Sequence, residues 1–177
     1  MHFELKPISV QSIPHTLEKV ERYRLLNEPV LAESICLDVL AVVPDHQHAL
    51  ISLLLARTDQ FHAHSDAPPK GALEVLTQIK GEYEQAYYAG VIWERLGNAR
   101  LRHGDPGARI SAYHALRDAM SHYERAIHLA PPENDDAILR WNTCARVIMQ
   151  NPDIQPLSES DPQAWLRDDA GSRIADA

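Results

Sequence analysis

From Pro14 to Gln150 the apolar residues recur at intervals of three and four, and prolines or turn sequences cut that run into lengths suited to helices. Such spacing collects side chains on one face of an α-helix, whereas a half-buried strand requires alternation at two. The pattern predicts an all-α fold of five to seven antiparallel helices paired as hairpins. A chain of 177 residues has room for one domain of this kind. Its expected limits are 14–150, with an extended N-terminal segment at 1–13 and a tail at 151–177. Within that tail, Asp161 and the apolar pair Trp165-Leu166 suggest a short helix near 162–168.

Local signals set the expected helix ends. The first helix is expected from about Thr16 to Asn27, stopped by Glu28-Pro29, because the residue before proline resists the α region. The second runs from about Val30 to Val42, with Ala32, Ile35, Cys36, Val39 and Leu40 inward, and Pro44 beyond its end. Asp45 is the expected N-cap of the third, whose leucines lie on most sides and place it inside the stack. A loop at 61–71 leads to a short fourth helix, with Gly81 as its C-cap. Two long helices follow, Glu82 to His103 and Pro106 to Leu129, around the turn Gly104-Asp105-Pro106-Gly107. Asn134 or Asp135 caps a last helix, Asp136 to Met149.

Composition narrows the function. The apolar share is 45% and the charged share 24%, which suits a folded soluble chain. A net charge of −8, spread along the sequence, disfavours nucleic acid as a partner. No run approaches the length of apolar residues that spans a bilayer, so no membrane partner and a cytoplasmic location are expected. Cys36 and Cys144 lie within apolar-periodic segments, as buried reduced thiols would.

Two stretches carry a family pattern. Tyr23, Ala32 and Pro44 fall at the positions of a Tyr, a second-helix Ala and a closing Pro in a two-helix repeat of about 34 residues. Trp93, Leu96, Gly97, Gly104 and Asp105, then Ala119, Tyr123, Ala126 and Pro131, match both halves of that repeat more fully. The chain resembles the tetratricopeptide-repeat family over roughly Pro14 to Gln150. About ten extra residues, Ala108 to Asp118, separate the halves of the better repeat, and the middle unit, Gln47 to Lys80, lacks the closing proline. The resemblance implies a short α-solenoid with a C-terminal capping helix. It further implies a non-catalytic scaffold or adaptor that binds a protein or peptide on the side formed by its first helices. The terminal-carboxylate clamp found in some members is not expected, since Glu21 and Leu55 stand where its polar groups belong and only Asn98 and Arg102 match in kind. Gly97 and Ala119 are expected to permit close helix approach, with Trp93 and Tyr123 filling the neighbouring space.

Candidate interaction residues are few. Arg95, Arg100, Arg102, Arg109 and Arg117, with His103, His114 and Asn98, gather around the long hairpin's turn and could seat an acidic group. Bases at a helix C-terminus also offset its dipole, which is a sufficient reason for Arg100 and Arg102. Tyr87 and Tyr88, with Tyr83 and Trp93, could line a groove or serve as core. Asp135, Asp136, Arg140 and Arg146 could form a charged edge. His62, His64 and Asp66 alternate as metal ligands on an extended segment would, giving an alternative reading as a small metal-binding enzyme or sensor. No phosphate loop, nucleophile elbow, dinucleotide fingerprint or zincin motif is present, so no catalytic residue and no cofactor are assigned. A homodimer that covers leftover apolar surface is a further expectation.

Overall fold

The computed structural model describes residues 3–62, 70–103 and 108–154. Among these residues the chain forms seven α-helices and no strand: α1 (Ile13–Leu25), α2 (Pro29–Val42), α3 (Gln47–Asp59), α4 (Lys70–Leu76), α5 (Glu82–His103), α6 (Ala108–Leu129) and α7 (Asp136–Gln150). Short 3-10 turns at Val10–Ser12, Gln60–His62 and Pro152–Ile154 flank them. The expected all-helical class is therefore observed. No helix among the described residues is long and apolar enough to cross a membrane. The expected helix at 162–168 and the turn at 104–107 lie outside the described residues.

Several helix ends differ from expectation for identifiable reasons. α1 stops before Pro29 exerts its effect, because Asn27 adopts a left-handed φ of 60°. The Glu28 amide then donates to the Tyr23 carbonyl and the Asn27 amide to the Arg24 carbonyl, which satisfies the last carbonyls of the helix. The N-cap of α3 is His46 rather than Asp45: its Nδ1 accepts from the Ala49 amide at 3.3 Å, while Asp45 pairs with Lys80 at 3.1 Å. Gly81 does not cap α4, which ends at Leu76. Beyond Leu76 the backbone bonds to the start of α3 instead. Gln47 Oε1 accepts from the Lys80 amide at 2.7 Å, and Gln47 Nε2 donates to the Gln78 carbonyl. Gly81, at φ 93°, turns the chain into α5 and gives its carbonyl to the Gln85 amide.

Side-chain bonds fix the relative directions of the helices. His48 and Asp59 of α3 meet Glu21 and Arg24 of α1 respectively, so residue numbers rise together along both helices. In the same way Asp45 and Asp59 meet Lys80 and Arg95. Asn134 and Arg140 meet Tyr83 and Glu94. The odd-numbered helices α1, α3, α5 and α7 thus run parallel to one another.

Two apolar cores lie within this arrangement. Val20, Ala32, Cys36, Leu50, Leu54 and Ile79 belong to the first, built from α1 to α4 with Ile92 of α5. Leu116, Ala119, Tyr123, Ala126 and Cys144 belong to the second, built from α5 to α7. Leu55 and Tyr88 pack against both and join them. The long hairpin closes tightly because α5 is thinned at two points. A β-carbon on Gly90 would lie 2.5 Å from the Tyr123 ring, and one on Gly97 would lie 2.9 Å from Leu116 Cγ.

Candidate functional site

The polar groups that organise the molecule lie along the odd-numbered helices. Asp59 of α3 accepts from Arg24 Nε at 2.8 Å and forms an ion pair with Arg95 Nη1 at 2.7 Å, linking α1, α3 and α5 through one carboxylate. Arg95 also donates to the Leu55 carbonyl at 3.0 Å and to the Thr58 hydroxyl, at the C-terminal end of α3. A guanidinium is well matched to that task, since its planar fork can serve several acceptors at once. Burial pulls the Arg95 pKa below its ordinary value, and the Asp59 charge opposes that pull.

Immediately before Arg95 on α5, Glu94 is 5% exposed. A buried carboxylate is costly unless its lone pairs are satisfied. Here Tyr123 Oη donates to Oε2 at 2.5 Å and Arg140 Nη1 donates to Oε1 at 3.1 Å, so α5, α6 and α7 meet at a single side chain. Burial drives the Tyr123 phenol far above its usual range, and the adjacent Glu94 charge adds to the rise. For Arg140, burial lowers the pKa but Glu94 and the neighbouring tyrosines outweigh it, so the guanidinium is held charged.

Glu94 and Arg140 of this triad line an open cleft of about 350 Å³ between α5 and α7, together with Tyr87, Asp136, Leu139 and Thr143. A second cleft, about 400 Å³, lies between α1 and α3, with Ile13, Pro14 and Leu17 beneath Glu18, Glu21, His46 and His48. Both open between successive odd-numbered helices. A third, about 300 Å³, lies against Glu33, Arg57 and Gly71 where α2, α3 and α4 approach.

The candidates from the sequence are divided among these places. Arg95 faces inward to Asp59. Arg109 is exposed and pairs with Asp153 beyond α7. Arg100 donates to the Ser111 carbonyl, bracing α5 against α6. Arg102 and Arg117 are exposed, and Asn98 is half-buried. Arg95, Arg109 and Arg100 therefore serve separate partners. Tyr87 stacks with Tyr83 at 5.8 Å and lies 5.9 Å from the Tyr123 ring, half-buried at the edge of the α5–α7 cleft. Tyr88 lies between the two cores. His62 closes a 3-10 turn, and His64 and Asp66 fall outside the described residues. Among the described residues no three histidine, cysteine or carboxylate side chains gather as a metal site. Both cysteines are free and buried.

The pairing of Glu94 with Tyr123 was not read from the sequence. Its signal was a single acid within Val91-Ile92-Trp93-Glu94, on a helix apolar on more than one side. Such an acid must find partners inside the fold.

Compared with family models, with curated proteins and with solved structures, the chain matches none.

Proposed function

We propose that this chain is a non-catalytic interaction scaffold of the tetratricopeptide-repeat kind. In this reading α1–α2, α3–α4 and α5–α6 are the successive hairpins of a short solenoid and α7 is its cap. A protein or peptide segment of a partner lies across the face made by α1, α3, α5 and α7.

The observation that carries the reading is the pair of open clefts between parallel odd-numbered helices, set in a face already stitched together by Asp59 and Glu94. A surface whose helices are fixed by their own side chains loses little order when a segment docks, which favours affinity. Tyr87 and Leu139 offer apolar contact, while Asp136, Thr143 and Arg140 offer polar groups, the mixture found at protein interfaces.

Affinity purification from the native host tests this. A tagged chain carrying Thr143→Trp, which fills the α5–α7 cleft, is expected to lose proteins that the unmodified chain retains. Arg117→Trp, on the exposed side of α6, is expected to keep them. Equal recovery with both variants contradicts the assignment. Zinc titration monitored by thermal unfolding separates the metal-binding alternative. A melting temperature that does not move fits the scaffold, whereas a marked rise lost on His62→Ala and His64→Ala assigns the loop a metal.

A further inference from the structure

We infer that the cleft between α1 and α3 is a socket for a basic side chain with an aliphatic stem, a lysine or arginine of the segment that lies across the odd-numbered face. This rests on the partner-binding reading above and adds to it the chemistry of one residue of the partner. The cleft encloses about 400 Å³. Its apolar side is the exposed Pro14 with Ile13 and Leu17 buried behind it, and its rim carries Glu18 and Glu21. Three residues apart on α1, the two carboxylates stand on the same side of the helix. Their side chains are 74% and 60% exposed, within reach of a ligand.

Among the described residues no lysine or arginine lines the cleft with them. Lys19 and Arg22, the exposed bases of α1, lie outside its lining, and α3 carries no lysine or arginine between Gln47 and Ala56. Glu18 pairs with His15 at 3.4 Å and Glu21 with His48 at 3.2 Å. An imidazole is not a permanent cation at neutral pH, so neither pair fixes a positive charge beside its acid. His46, the other histidine of the cleft, gives its Nδ1 to the Ala49 amide. Toward the C-terminal ends of the same two helices the arrangement differs, because Asp59 is met by the guanidinium groups of Arg24 and Arg95. Compensation of the helix dipole does not account for Glu18 and Glu21, since neither lies in the first turn of α1, where that effect is felt.

Two carboxylates above an apolar wall suit a side chain that is apolar along its stem and charged at its tip. A lysine meets both demands: its methylenes lie along Pro14, and its ammonium, with three donors, reaches Glu18 and Glu21 together. The net charge of −8 acts in the same direction, drawing a basic segment toward the chain and repelling an acidic one. The apolar wall separates the socket from general attraction, because a cation without a stem gains the charge and not the contact.

Two acetylated, amidated hexapeptides, one of alternating leucine and lysine and one of alternating leucine and glutamate, are the probes. They are titrated into the isotope-labelled full chain near physiological ionic strength, and binding is followed by amide chemical shifts. The lysine peptide should shift the amides of Leu17, Glu18, Glu21 and His48, and the glutamate peptide should not bind. Glu18→Gln with Glu21→Gln should weaken the lysine peptide roughly fivefold to tenfold, with circular dichroism unchanged because both positions are exposed. Glu74→Gln with Asp118→Asn, exposed on α4 and α6, should leave its affinity as it was. Diaminopropionic acid in place of lysine, which keeps the charge and shortens the stem, should bind more weakly. No binding of the lysine peptide at millimolar concentration, equal binding of the glutamate peptide, or a loss no greater in the α1 variant than in the α4 and α6 variant each overturns the inference. In the native host, a partner kept by the α1 variant but lost by Thr143→Trp overturns the socket and leaves the docking face standing, whereas a partner kept by both removes the face as well.

Discussion

Tyr123 on α6 and Glu94 on α5 meet inside the long hairpin, the phenol donating to the carboxylate at 2.5 Å with both residues buried. The bond ties hairpin closure to the α5–α7 cleft, because Arg140 holds the other oxygen of the same carboxylate. Tyr123→Phe keeps the ring in place and removes only the donor. A hydrogen bond to a charged group contributes about 1.5 to 3 kcal/mol, so the free energy of unfolding should fall by that amount, read as a lower urea midpoint with an unchanged slope.

Stability should decline on the alkaline side. Burial raises the Tyr123 phenol well above the ordinary 10.0, with Glu94 adding to the rise, and burial lifts Cys36 and Cys144 from 9.0 to about 12. These groups keep their protons in the folded chain under conditions where the unfolded chain loses them. Stability is therefore fully present below pH 9.0, and is lost as pH climbs through the unfolded values toward the folded ones. Urea titrations across this range should show the fall, and Tyr123→Phe should lessen it above pH 10.0. A midpoint that stays level above pH 9.0 would exclude the buried, protonated state of all three groups.

The glycines of α5 should differ from the glycine of α4. Replacing a helical glycine by alanine ordinarily gains about 1 kcal/mol. In Gly90→Ala the new methyl meets the ring of Tyr123, and in Gly97→Ala it meets Leu116 and the Ala112 carbonyl, none of which can swing away freely. Overpacking of this kind costs about 1 to 3 kcal/mol, so both variants should be neutral to destabilised by about 2 kcal/mol in thermal unfolding. Gly71→Ala meets only the Arg57 side chain, at 3.3 Å, and should be neutral or mildly stabilising.

Arg24 and Arg95 share the Asp59 carboxylate from two different helices. A double-mutant cycle of Arg24→Ala and Arg95→Ala should be non-additive by about 0.5 to 3 kcal/mol in chemical unfolding. Additive losses would mean that Asp59 does not couple α1 to α5.

Helical class, helix number and the extents of α5 and α7 were legible because they rest on long periodic runs. Helix ends were less so. Asn27, His46 and Gln47 decide their boundaries through single backbone or side-chain bonds that periodicity does not encode. The close contact expected at Gly97 is present, with Leu116 as its partner, but the tighter one between Gly90 and Tyr123 lies outside the repeat pattern. The partners of the candidate arginines were not legible. Arg95 and Arg109 look alike as charges in a sequence, yet one faces inward to Asp59 and the other outward to Asp153. Which neighbour a guanidinium reaches depends on helix packing, not on local spacing.

Site-specific photocross-linking in the native host tests the proposed partner-binding face most directly. A benzophenone amino acid placed at Tyr87 or Thr143, on α5 and α7, should give adducts to the same protein, while one at Ser121 or Glu124 on α6 should give none. Adducts that concentrate on α6, or that do not distinguish the two sets of positions, would contradict a docking face on the odd-numbered helices.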